Sequence, residues 1–293
     1  MSPLKVWGMV AMPPESKSPA ETRESHQVRE VAESFGLEAE RYNRARPSYP
    51  HALVERIVAA SPGRDVLDVG CGTGITGRLF QAAGCRVLGV DTDERMADLA
   101  RRSGVEAEVA TFESWDPADR AFDAVIAGQA WHWVDPVAGA GKAAQVLRPG
   151  GRLAVFWNAF GFPPDLGAAF AAVYQRVIPD SPVSRRGLTG RNAYQMMCDK
   201  AADGMRQAGG FGEPEQWQFD WDRPYTRAEW LDAVPTFGGH SLLPADVRDE
   251  LLAGIGAAID AAGGGFTMHY ATMAVTAERR SPRDEAAVTA DRL

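Results

Sequence analysis

Asp65-Val66-Leu67-Asp68-Val69-Gly70-Cys71-Gly72-Thr73-Gly74 is the stretch on which the reading of this chain turns. A short run rich in β-branched residues ends in three glycines at alternate positions, and a helical pattern starts directly behind them. That order predicts a buried strand that bends sharply into a helix. Glycine permits positive φ and lets a ligand come close to the main chain, while the unbonded N–H groups of a helix's first turn favour a polar or anionic group. The bend is therefore a candidate ligand site.

Outward from it, strands are expected at 86–91, 106–110, 122–127 and 152–157, with helical patterns or tight connections between them, including 93–102 and 136–147. In the second of these helices Val137, Ala140, Gly141, Ala144 and Leu147 share a face, and Pro149-Gly150-Gly151 closes it. Strand and helix alternating at this interval mean βαβ units, a parallel sheet and right-handed crossovers. Ligands bind such sheets at the carboxyl ends of the strands. Before the bend, 20–45 reads as a polar helix with Val28, Val31, Phe35, Ala39 and Tyr42 on its apolar face, and Pro47 and Pro50 then hold the chain extended ahead of a short helix from His51.

After Trp157 the alternation lapses for about fifty residues. Two helical runs, one over 165–177 and one carrying Tyr194, Met197, Ala201 and Met205, flank a basic stretch with Arg185, Arg186 and Arg191. Such an insertion after the fifth strand is expected to act as a helical lid. The sheet resumes with the alternating run 215–221, Thr226-x-x-Glu229 has the form of a capping box, a helix follows at 244–262, and 266–277 makes the last strand. The expected segments are a disordered lead over 1–19, a helical entry over 20–60, a core over 61–160, the lid over 161–210, the rest of the sheet over 211–277 and a loose tail over 278–293.

With 293 residues, 45% hydrophobic and 24% charged, the composition is that of an ordinary soluble domain with room for a sizeable core. A net charge of −8 leaves no electrostatic footprint for nucleic acid or an anionic membrane, so the expected partner is a small molecule and the expected assembly a monomer or homodimer. Cys71, Cys85 and Cys198 match neither a disulfide framework nor a zinc site, and no metal is expected. A cytoplasmic location follows as the simplest expectation. No apolar run approaches the ~20 residues of a membrane helix.

Two frames compete for the glycines. Gly72-Thr73-Gly74-Ile75-Thr76-Gly77 fits the dinucleotide pattern G-x-G-x-x-G, and Asp91 follows at the ~20-residue distance of a ribose-binding acid. The other frame is Asp68-x-Gly70-x-Gly72-x-Gly74, with an acid two residues before the first glycine. It resembles the signature of the class I S-adenosylmethionine-dependent methyltransferases. A carboxylate at 68 suits a ligand carrying an ammonium and a sulfonium and is an odd neighbour for a pyrophosphate. Tyr42-Asn43-Arg44-Ala45-Arg46-Pro47 resembles the entry segment of the trans-aconitate methyltransferase-like group, in which an aromatic residue and an arginine enclose the methionine moiety; Tyr42 and Arg46 are the matching positions. Residues 30–160 carry the resemblance, and 160–277 agree only in layout.

The resemblance implies a Rossmann-like α/β fold: a seven-stranded, mostly parallel sheet with helices on both faces, the lid after the fifth strand and an antiparallel seventh strand beside the fifth. It also implies S-adenosylmethionine as the cofactor. Asp68, Gly70, Gly72 and Gly74 would form the donor loop, Asp91 with Thr92 would hold the ribose, Met96 would pack on adenine, and Thr111 and Phe112 would bracket it. In this chain Thr111 stands where the family more often has an acid. Gln129, in Gly128-Gln129-Ala130-Trp131-His132-Trp133, would lie beside the methionine part. His132 is the candidate general base, because an imidazole titrates near working pH. O-methylation of a small metabolite is the leading expectation. A nicotinamide-dependent oxidoreductase using Gly72, Gly74 and Gly77, and a catalytically silent cofactor-binding protein, are the alternatives.

Overall fold

The computed structural model describes residues 35–179, 181 and 191–281. The lead over 1–19, most of the 20–45 helix, Arg185 and Arg186, the side chain of Arg191 and the tail beyond 281 lie outside the described residues. Sixteen elements matter for the site and are numbered in chain order. Helices α1 (Ala39–Ala45) and α2 (His51–Ala59) precede β1 (Asp65–Val69), α3 (Ile75–Ala82), β2 (Arg86–Asp91), α4 (Glu94–Arg102), β3 (Glu106–Val109) and β4 (Phe122–Gly128). Next come α5 (Pro136–Val146), β5 (Leu147–Gly161), α6 (Pro164–Val177) and α7 (Arg191–Ala208). The chain then runs through β6 (Glu215–Thr226), α8 (Arg227–Ala233), α9 (Ala245–Ala261) and β7 (Gly265–Glu278).

The seven strands form one mixed sheet in the order β3-β2-β1-β4-β5-β7-β6. β1 pairs in parallel with β2 and β4, β2 with β3, and β4 with β5. The order turns back between β1 and β4, which makes the carboxyl ends of those two strands the switch point where open α/β sheets bind ligands. β1 is central, so Val66, Leu67, Asp68 and Val69 are all buried, and the strand reads as a continuous run rather than an alternation. β7 lies between β5 and β6, as the resemblance implies.

β5 begins five residues earlier than the expected Arg152. Leu147 already pairs with Phe122, and the register then jumps to Ala124↔Arg152, so Arg148–Gly151 bulge out of the ladder. Gly150 donates to the Arg279 carbonyl at 2.9 Å and Arg279 donates to Gly151 at 2.7 Å, which carries the pairing one residue past β7. Helix starts follow local chemistry. The Asp93 carboxylate accepts from the Arg95 amide to open α4, and Asp135 accepts from Val137 and Ala138 to open α5 with Pro136 in its first turn. Thr226 and Glu229 form the full capping box at α8.

The chain divides into two compact units. One contains residues up to Pro47, Ala159–Ala193 and Asp220–Ala271; the other contains Ser48–Asn158, Tyr194–Phe219 and Thr272 onward. The two helices expected to form one insertion are thus shared out, α6 to the first unit and nearly all of α7 to the second. The first unit has an aromatic core in which Phe170, Tyr225, Trp230 and Tyr270 pack with Leu251, Ile255 and Ile259. The second packs Leu53, Ile57, Val66, Phe80, Ile126 and Phe156 around β1 and β4.

Candidate functional site

The bend after β1 takes the form its glycines predict. Gly70, Gly72 and Gly74 have φ of +65°, +54° and +81°, the left-handed region that L side chains avoid. At Gly70 space forbids a side chain as well, since an added Cβ would stand 2.4 Å from the Ala130 Cβ. That closeness brings the loop after β1 against the loop after β4. The Gly70 amide donates to the Val90 carbonyl at 2.8 Å, and the Gly72 amide donates to Asp91 Oδ2 at 2.8 Å.

Asp91 is therefore a brace for the bend. Its other oxygen, Oδ1, accepts from the Asp93 amide at 2.9 Å, and Asp93, not Asp91, caps α4. Each Asp91 oxygen spends one acceptor position on the main chain and keeps another. Burial raises its pKa, and the amides of Asp93 and Gly72 oppose that rise. Thr92 is exposed beside it, and Met96 is buried with its Cε under Gly72. The Ala110 amide donates to the Asp91 carbonyl at 2.9 Å, which carries Thr111 and Phe112 to the same strand ends. Thr111 shares a hydroxyl hydrogen bond with Ser114, and Phe112 packs its ring on Trp131 at 6.2 Å. The Glu113 carboxylate accepts from the Asp135 amide at 2.9 Å and ties this loop to the one after β4.

Several buried polar atoms are left without partners at these strand ends. Neither oxygen of Asp68 makes a hydrogen bond, although the residue is 0% exposed. Burial, and then the Asp91 charge, push its carboxyl up to about 8, with the Gly77 amide opposing the rise without full hydrogen-bond geometry. Thr73 Oγ1, Gln129 Oε1 and Trp131 Nε1 are likewise buried and unpartnered. Gln129 holds φ at +57°, a strained conformation for a non-glycine residue, while its amide donates to the Phe156 carbonyl at 2.8 Å. Nothing in the sequence marks that strain. A buried polar atom without a partner costs about 1–3 kcal/mol, so a group that satisfied these atoms would be favoured there. The unpartnered atoms of Asp68 and Gln129 are oxygens, and once the Asp68 carboxyl gives up its proton both fit a cationic, hydrogen-donating group.

His132 sits in the same loop, its ring 4.7 Å from that of Trp133. The Trp157 indole Nε1–H donates to His132 Nδ1 at 3.3 Å. Because an indole can only donate, Nδ1 carries the lone pair and the ring proton belongs on Nε2. Burial also drops the imidazole to about 3. Trp157, two residues before the end of the buried part of β5, thus sets the tautomer of His132; in the sequence only its place at the end of an expected strand pointed to it.

The structure brings Asp68, Gly70, Gly72, Gly74, Asp91, Thr92, Met96, Thr111, Phe112, Gln129 and His132 to one set of strand ends in the second unit. Tyr42 and Arg46 belong to the first unit, where the Arg46 guanidinium lies over the Tyr42 ring at 5.1 Å and the Phe237 ring at 4.9 Å. Among the described residues no group of three or more His, Cys, Asp or Glu side chains could hold a metal, and no helix is long and apolar enough to cross a membrane.

A family model described as a methyltransferase domain matches residues 67–155, from β1 into β5. An uncharacterised methyltransferase of Mycobacterium tuberculosis is 42% identical over 133 residues, which is 44% of this chain and 54% of that protein. The chain thus spans about half the length of that relative. A malonyl-[acyl-carrier protein] O-methyltransferase of Pseudescherichia vulneris is 28% identical over 222 residues, covering 69% of this chain and 86% of that one. A solved structure from Anaeromyxobacter dehalogenans, described as a candidate type II methyltransferase, superposes with a TM-score of 0.57 over 80% of this chain and 97% of its own at 24% identity, a likeness of fold. The matched domain covers the strands that build the glycine bend, so residues 67–155 form a methyltransferase domain of the class I S-adenosylmethionine-dependent type.

Proposed function

We propose that this protein binds S-adenosylmethionine at the bend after β1 and transfers its methyl group to an oxygen nucleophile on a small molecule. The observation that carries the reading is the set of buried, unfilled acceptors on Asp68 and Gln129. A ligand ammonium can donate to them, whereas the pyrophosphate of a dinucleotide would set anion against carboxylate. Asp91 keeps one free acceptor position on each oxygen for the two ribose hydroxyls, and Met96 and Phe112 supply apolar surface for adenine. Tyr42 and Arg46 are assigned by the resemblance alone.

Bound S-adenosylmethionine supplies an electrophilic methyl carbon on a sulfonium. The chain's share of the work is to align the acceptor oxygen at ~3–3.5 Å and to exclude water. His132 enters as a hydrogen-bond donor through Nε2–H, because Trp157 occupies Nδ1. With no base at that position, the favoured acceptor is an oxygen already ionised at neutral pH, such as a carboxylate. The name of the Pseudescherichia relative, an O-methyltransferase, agrees with oxygen as the nucleophile. A cytoplasmic setting stays part of the proposal, supported by three buried, unpaired cysteines.

The test is a calorimetric titration of the full chain with S-adenosylhomocysteine, S-adenosylmethionine and NADH. The methyl donor and its product are expected to bind, and replacing Asp91 with Ala to weaken them by about 1.5–3 kcal/mol through loss of a charged acceptor. Binding of NADH without either sulfur ligand would overturn the reading. Donor binding without methyl transfer to any member of a carboxylic acid panel would favour the silent binder.

A further inference from the structure

The first unit carries a second cluster of unspent polar groups, well separated in sequence from the glycine bend. Tyr225, near the end of β6, and Tyr270, in β7, meet through their hydroxyls at 2.8 Å, and both residues are buried. Two phenols hold two hydroxyl hydrogens, and the bond between them uses one. The second has no acceptor among the described residues. Beside this pair, the Trp230 ring stands edge-on to Tyr225 at 5.1 Å. Trp230 is 4% exposed, and its Nε1–H has no partner. With the indole, two hydrogens of the cluster are left without an acceptor among the described residues.

Charge points the same way. The Arg223 guanidinium lies over the Tyr225 ring at 4.4 Å, and Arg46 lies over Phe237, whose ring is 5.5 Å from that of Trp230. Both cations act on the two hydroxyls and oppose the rise that burial imposes on them. The nearby carboxylates are already engaged. Glu229 closes the capping box, and Asp232 is paired with Arg41 and Arg44. Apolar walls complete the cluster: Trp221 stacks on Tyr270 at 4.4 Å, and Phe266 stacks on Tyr225 at 5.7 Å.

We propose that this unit binds the carboxylate of a small acid with an aromatic or otherwise apolar body, the anion accepting from the spare tyrosine hydrogen and the Trp230 indole in the field of Arg223 and Arg46. A carboxylate accepts without donating, which matches the two spare hydrogens, one phenolic and one indole. A doubly charged phosphate would cost more to desolvate among buried rings than two half-buried guanidiniums return. The inference stands on this unit alone and does not depend on the methyl-transfer reading.

The experiment titrates the full chain with benzoate, benzamide and phenyl phosphate by calorimetry, with S-adenosylhomocysteine titrated separately. Benzoate is expected to bind saturably, with benzamide and phenyl phosphate each at least about tenfold weaker. Tyr270→Phe and Arg223→Gln should each weaken benzoate by about tenfold and leave the S-adenosylhomocysteine affinity unchanged. Should Tyr270→Phe fail to fold, as judged by near-UV circular dichroism, Arg223→Gln decides the question, since its side chain is only partly buried. Absence of saturable benzoate binding, equal affinity for benzoate and benzamide, preference for phenyl phosphate, or wild-type benzoate binding in the variants would each overturn the proposal. A negative S-adenosylhomocysteine titration bears on the glycine bend and not on this site.

Discussion

Replacing Asp68 with Asn is predicted to stabilise the ligand-free protein at neutral pH while weakening its hold on a cationic donor. Asp68 is fully buried without a hydrogen bond to either oxygen, and burial, then the neighbouring Asp91 charge, raise its carboxyl from 3.8 to about 8. Between those two values the folded chain keeps a proton that the unfolded chain has released. Stability from this group is therefore complete below 3.8 and is lost as pH rises toward about 8. The loss accumulates at ~1.4 kcal/mol per pH unit, which brings it to about 4 kcal/mol near pH 7. Asparagine has nearly the shape of the neutral carboxyl and cannot ionise, so the variant should recover up to that amount.

The assay is urea unfolding followed by tryptophan fluorescence from about pH 5 to about pH 9, without ligand. Wild type should lose stability up to about pH 8 and level off above it, and Asp68→Asn should show a flatter profile, with a residual slope of the same sign from Asp91, whose pKa burial also raises. S-adenosylmethionine should bind the variant more weakly, because the charge opposite its ammonium is gone. A variant that is less stable than wild type near pH 7, or that keeps the wild-type slope, would refute the reasoning.

The other predictions rest on packing, tautomer and capping. Gly128→Ala would place a Cβ 2.8 Å from both Tyr49 Oη and Thr76 Oγ1 and 3.0 Å from the buried Phe156 ring, so urea unfolding should show a loss of about 1–3 kcal/mol; wild-type stability would mean that the hydroxyls swing aside freely. Trp157→Phe removes the N–H that holds His132 Nδ1 as acceptor, and nitrogen NMR of the ring should show the Nε2–H form giving way to a mixture; an unchanged tautomer would exclude Trp157 as its cause. Thr226→Ala removes the side chain that caps the Glu229 amide at the start of α8 and should cost about 1 kcal/mol in thermal or urea unfolding, and no change would show that the box contributes nothing there.

Much of the second unit could be read along the chain because its information is local. β1 and β2 lie at the expected 65–69 and 86–91, since a strand buried on both faces leaves an unbroken apolar run and a turn residue at its end. The glycines of the bend were legible for a related reason: only glycine takes φ near +54° to +81° without strain, so backbone geometry is written directly in residue type. The capping box at Thr226 is equally local, four residues closing on themselves. Neighbours in sequence decide such features, and the amino-acid order is sufficient for them.

Where partners are distant, the order of residues was silent. The early start of β5 depends on Leu147 meeting Phe122 across a bulge, and the strained backbone of Gln129 depends on its amide reaching Phe156. The tautomer of His132 depends on one bond from Trp157, 25 residues away, and its lowered pKa on burial that no periodicity measures. The phenol pair of Tyr225 and Tyr270 spans 45 residues. Residue types announced which groups were able to donate, accept or ionise; only the folded chain decided which of them found partners and which were left buried without one, because desolvation and hydrogen-bond geometry are properties of contacts made across the fold.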